Sequence, residues 1–186
     1  MKIVVYDTET TGLVQNLMLP IEQQPHIIEI AAVLVDERGD QYGSFHCILD
    51  PQIPVLDPKI TQITGLTHEM LKGKPTFEAM LPAIRATFSQ ADAVLAHNLS
   101  FDLDMMRIEC KRHRVSDFPM PLQRFCSMHQ YKHIRGKWFK QGELYKHFMG
   151  KPQAAAHRAM DDVQALIECL KAANFFQEVA NAKIPG

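Results

Sequence analysis

No stretch of this chain stays apolar for the length of a membrane span, and the N-terminus lacks the charged-then-apolar pattern of a signal. The expected compartment is the cytoplasm, with no membrane contact. Cysteine is sparse: Cys47, Cys110, Cys126 and Cys169 lie far apart, with no CxxC pair. That spacing excludes a disulfide frame and a cysteine zinc site, and it reads as four reduced thiols. Net charge is also lacking. The balance is −1 at neutral pH, which by itself argues against a nucleic-acid binder. Repeats, low-complexity tracts and linkers are absent too. The 186 residues therefore fit one domain, 1–186, with an ordered core over about 1–176 and a short C-terminal tail.

What charge there is has been sorted along the chain. Between Arg107 and Lys151, eleven Lys or Arg stand against Glu109, Asp117 and Glu143 alone. A basic segment of this kind suits a polyanionic substrate, although a solvated helical face is the plainer explanation of such runs.

The stretch Lys2 to Gly12 is the most informative. Ile3, Val4, Val5 and Tyr6 have the β-branched and aromatic character of a short buried strand. The strand runs into Asp7 and Glu9, and residues two apart in an extended chain point to the same face. Two like charges held together cost free energy unless a cation lies between them. Hard divalent ions such as Mg²⁺ or Mn²⁺ favour oxygen ligands of this kind. Two solvated acids at a strand end would look the same at this point.

Further strands are expected over Ile27–Val35, Tyr42–Leu49, Ala93–His97 and Leu122–Met128. The helices expected are a short one at Lys59–Ile63, then Thr76–Phe88, Asn98 to about His113, Trp138–Met149 and Ala159–Phe175. Strands alternating with helices give an α/β domain with a five-stranded mixed sheet flanked by helices.

In such a sheet, strand ends and helix N-termini converge on one rim. Asp102 lies in the first turn after the fourth strand, and Asp162 at the start of the last helix. Four carboxylates from three segments would then enclose two divalent ions, a pair ~3.5–4 Å apart being suited to phosphoryl displacement. His157 is a candidate general base, imidazole being able to take a proton from water near neutrality. Five residues turn a helix by roughly 140°, so His157 is expected on the loop before the helix. A surface or capping histidine is the bland alternative.

Taken together, Asp7-Thr-Glu-Thr-Thr-Gly12, His97-Asn-x-x-Phe-Asp102 and His157-x-Ala-x-x-Asp162 resemble the three motifs of the DEDDh 3′→5′ exonucleases. That proofreading family, which includes the DNA polymerase III epsilon-like proteins, has a ribonuclease H-like fold. The resemblance spans nearly the whole chain, and Ile63-Thr-Gly-Leu-Thr67 is similar to the family's substrate-contacting segment.

It implies Asp7, Glu9, Asp102 and Asp162 as ligands of two Mg²⁺ or Mn²⁺ ions, and His157 as the base. It also implies that Thr8, Thr10, Leu66, Asn98 and Phe101 touch the terminal nucleotide, Leu66 and Phe101 by apolar contact or stacking. The expected activity is metal-dependent release of nucleoside 5′-monophosphates from single-stranded or frayed 3′ ends. DNA is the first expectation and RNA the second. A polymerase or a homodimer partner is left open, and the few residues after the last helix offer no evident tail for docking a polymerase. The segment from Phe125 to Gly150, with Trp138, departs from the family pattern.

Overall fold

The computed structural model describes residues 1–154 and 157–181. Its middle strand is β1 (Ile3–Thr10), whose residues Ile3 to Tyr6 are fully buried. Burial on both faces needs a layer on each side. Ile3 and Val5 pack into one cluster with Val163, Leu166 and Leu170, and Val4 and Tyr6 into another with Ile84, Phe88 and Met105. Alternation then carries Asp7 and Glu9 along the first row, and Thr8 and Thr10 along the second.

Around β1 lie β2 (Ile27–Val35), β3 (Gln41–Ile48), β4 (Ala93–Ala96) and β5 (Gln123–Cys126), in the order β3-β2-β1-β4-β5. β1, β2 and β3 form an antiparallel meander, whereas β4 runs parallel to both β1 and β5. This is the five-stranded mixed sheet the sequence leads one to expect. β2 is buried along its whole length and apolar but for one residue, Glu29.

The helices are α1 (Pro58–Thr64), α2 (His68–Leu71), α3 (Phe77–Phe88), α4 (Leu99–Arg112), α5 (Ser127–Gln130), α6 (Gln141–Met149), α7 (Ala159–Ala172) and α8 (Phe175–Asn181). No described helix is long and apolar enough to cross a membrane. α1 starts at a proline, capped by the Asp57 side chain, and stops at Gly65, whose φ of 72° suits a residue without Cβ. α7 turns Val163, Leu166, Ile167 and Leu170 to the sheet, each at most 2% exposed. Burial of this kind contributes roughly 1.5–3 kcal/mol per side chain.

Three boundaries differ from expectation. β5 gives way to α5 at Ser127. α6 begins at Gln141 rather than at Trp138, because Glu143 Oε2 accepts the Lys140 amide at 2.8 Å and closes the first turn there. Trp138 precedes the helix and is half exposed. α7 stops at Ala172, since Asn174 takes a left-handed φ of 57° and reverses the chain. α8 then returns Phe175 and Phe176 to the core at 1% and 2% exposure. Part of the expected tail is thus helical as far as Asn181, and its remainder lies outside the described residues.

Candidate active site

The C-terminal ends of β1 and β4 and the N-termini of α4 and α7 surround a cavity of about 630 Å³. Asp7, Glu9, Asp102, Asp162 and His157 all line it. Each arrives by a different route. Asp7 and Glu9 stand on the α7-facing row of β1, and Asp102 comes from the first turn of α4 on the opposite layer. Thr8, on the other row of β1, ties the strand to α4, its Oγ1 donating to Asp102 Oδ1 at 2.8 Å.

Asp162, in the first turn of α7, is 9% exposed, whereas Asp161 beside it is exposed. Three donors hold its carboxylate. Oδ1 accepts from Gln153 Nε2 at 2.6 Å and Gln141 Nε2 at 3.1 Å, and Oδ2 accepts from the His157 amide at 2.8 Å. That last bond fixes the backbone just before α7. His157 lies outside the helix, as expected, with a left-handed φ of 64° and an exposed side chain. Its ring, Glu9 and Asp162 present one ligand atom each, all within 4.8 Å of one another.

The electrostatics are those of crowded anions. Burial, then the neighbouring Asp102 and Glu9, hold the Asp7 carboxyl well above its usual range. Glu9 is pushed up to about 8 by burial and by Asp162, Glu29 and Asp102. Asp102 reaches about 7 through burial, against the lowering effect of its bond from Thr8. Asp162 is raised by burial, although the Gln153 and His157 bonds oppose the shift. A cavity that raises the pKa of four carboxyl groups is one in which a divalent cation would relieve the repulsion, and an all-oxygen donor set fits Mg²⁺ or Mn²⁺.

Of the residues expected at a nucleotide, Thr8, Asn98 and Phe101 line the cavity. Thr10 is buried, with its hydroxyl donating to the Gly12 carbonyl at 2.7 Å. Leu66 is fully buried in a separate cluster with Ile28, Leu56 and Leu71. His97 is fixed on the cavity wall, with Nε2 3.0 Å from the Phe139 carbonyl and Nδ1 2.8 Å from Ser127 Oγ. Burial lowers the pKa of this ring, against the opposing effect of the Phe139 carbonyl, and in its neutral form Nε2 donates to that carbonyl while Nδ1 accepts from the Ser127 hydroxyl.

Gln141 and Gln153 join the site without a motif in the sequence to mark them as candidates. Neither amide carries charge or periodicity; the sequence signal of Gln153 is nearness to the third motif, and Gln141 has none. The basic segment also proves less free than its composition suggests. Arg107 pairs with Asp104 at 2.9 Å, Arg112 with Glu109 at 2.7 Å, and Arg135 with Glu143, while Lys140 lines the cavity.

Comparison with known proteins points one way. The exonuclease family model matches residues 4–170. A PolC-type DNA polymerase III of Clostridium perfringens (strain 13 / Type A) is 30% identical over 168 residues, which is 90% of this chain and 11% of that protein. The DNA polymerase III subunit epsilon of Pasteurella multocida (strain Pm70) is 36% identical over 110 residues, 59% of this chain and 42% of that one. The chain thus spans a minor part of each of these relatives. Among solved structures, exonuclease X in complex with 5′ overhanging duplex DNA gives a TM-score of 0.66 at 22% identity, covering 96% of this chain and 92% of that one. The nuclease domain of 3′hExo, a DEDDh family member bound to rAMP, gives 0.71 at 17% identity, covering 97% and 92%. Likenesses at that identity concern the fold, which is ribonuclease H-like.

Proposed function

The chain belongs to the exonuclease family, and from that premise we propose a single exonuclease domain that removes nucleoside 5′-monophosphates one at a time from 3′ ends. Single-stranded or frayed DNA is the first substrate and RNA the second. The observation that carries this reading is the convergence of Asp7, Glu9, Asp102 and Asp162, with His157, on one cavity. The four acids would hold two divalent cations, whose chemistry is to neutralise developing phosphoryl charge and make water more acidic. His157 takes the proton of the attacking water through its exposed ring, while its own backbone amide keeps Asp162 in place. Asn98 and Phe101 offer a polar contact and an aromatic face to the terminal nucleotide. Thr8 orients Asp102. A polymerase is the partner to test first, given the names of the relatives.

Digestion of end-labelled DNA and RNA oligonucleotides, with Mg²⁺ or with excess chelator, tests the proposal directly. Strands are expected to shorten from the 3′ end, and only with metal. Full turnover in chelator, or first release of a 5′ label, would overturn it.

The raised carboxyls give a second expectation. Glu9 at about 8 and Asp102 at about 7 keep protons that the unfolded chain releases near the ordinary 4.5 and 3.8. Where the unfolded state binds fewer protons, stability falls as pH rises. The metal-free protein is therefore expected to melt at a lower temperature at pH 8 than at pH 5. Mg²⁺ should raise the melting temperature more at pH 8 than at pH 6, since fewer protons must leave as it binds. Melts with equal Mg²⁺ shifts at both pH values would contradict this.

A further inference from the structure

Glu29 is the one charged residue of β2, and it is fully buried. A buried carboxylate is rarely the cheapest way to fill a strand, because a well-packed apolar side chain is often equally or more stabilising. This one is fully engaged. Arg158 Nη2 donates to Oε1 at 2.9 Å, and Arg158 Nε lies 3.2 and 3.1 Å from Oε1 and Oε2. The Ala159 amide donates to Oε2 at 3.2 Å, and His46 Nε2 lies 2.7 Å from Oε1. Across the sheet, Glu29 is the direct register partner of Glu9. It therefore joins the rigid sheet, opposite one candidate ligand, to the two residues that follow His157.

We propose that Glu29, acting through Arg158 and the Ala159 amide, is a positioning residue that fixes the His157 backbone. His157 needs such a fixture, since a left-handed φ of 64° on a residue with Cβ is held only where its surroundings over-determine it. The Asp162 bond restrains it from one side, through the His157 amide. Glu29 restrains it from the other, by seating residues 158 and 159. The fork of Arg158 supplies direction as well as charge.

This inference rests on His157 being the base, and a double-mutant cycle separates the two. Glu29→Gln and Arg158→Ala are each expected to lower single-turnover cleavage by about 10- to 100-fold, as loss of outer-sphere partners usually does. KM for the oligonucleotide should stay within about twofold. Arg158→Lys, which keeps the charge but not the fork, should fall between Arg158→Ala and the unaltered protein. In a His157→Ala background, Glu29→Gln and Arg158→Ala should add almost nothing.

If either change lowers the rate as much without His157 as with it, Glu29 does not act through His157 and the proposal fails. If His157→Ala itself leaves the rate unchanged, the base assignment fails instead. Should Glu29→Gln not fold, Arg158→Lys decides, because it keeps a cation beside the buried Glu29 carboxylate while losing the fork.

Discussion

Asp162→Asn is expected to reduce hydrolysis by at least ~10³-fold, the rate equivalent of losing ~4 kcal/mol of charge stabilisation at the reacting phosphate. Asp161→Asn is expected to change it little. The two acids are adjacent at the start of α7, and both interact with the helix dipole to similar effect, typically 0.3–1 kcal/mol. What separates them is direction. Asp161 is exposed, while Asp162 lies on the cavity wall and accepts three hydrogen bonds.

The Asn substitution should preserve the fold. Its carbonyl can still accept the His157 amide, and its NH₂ group can find an acceptor because Gln153 Oε1 has no partner and that amide can turn over. Circular dichroism and melting of both variants check the fold, and single-turnover rates check the assignment. Rates falling equally for the two, or further for Asp161→Asn, would move the fourth ligand one residue earlier.

His157→Ala should lower turnover by on the order of 10²–10⁴-fold, the usual worth of a positioned general base. The structure makes this variant cleaner than most. It removes the ring while keeping the backbone amide that holds Asp162, and alanine tolerates the left-handed φ no worse than histidine by any large margin. Its second readout is metal affinity by titration calorimetry. The ring lies within ligand distance of Glu9 and Asp162, so the geometry alone allows it to bind metal. Affinity retained with activity lost identifies a base. Affinity lost with activity identifies a ligand or a structural residue instead.

Much of this site could be read from the chain because its signals are local. Asp7 and Glu9 sit on a strand whose period of two puts them on one face, and Asp162 is distinguished from Asp161 by the helical stripe it shares with Leu166 and Cys169. The parts that could not be read are those decided at a distance. Leu66 sits in an apparent contact motif, yet the fold spends it on a core beneath β2. Thr8 is expected at a nucleotide, but its hydroxyl is committed to Asp102, 94 residues away. Gln141 reaches Asp162 from a helix whose start depends on a single capping bond, and no pattern in the sequence announces it. Asn174 is a partial exception, since asparagine is one of the few residues that enters the left-handed region readily and so marks the end of α7.

The order in which these pieces leave the ribosome has a consequence of its own. β1 is made before α7 and α8, which largely build the layer that covers its Ile3 and Val5 row. Contacts so far apart in sequence are slow to close, because the loop between them must first lose its freedom. A nascent chain that has reached residue 150 already contains Asp7, Glu9 and Asp102, but neither His157 nor Asp162. The same helix that seals the core also delivers the last acid. Covering the core and completing the candidate ligand set are therefore one event.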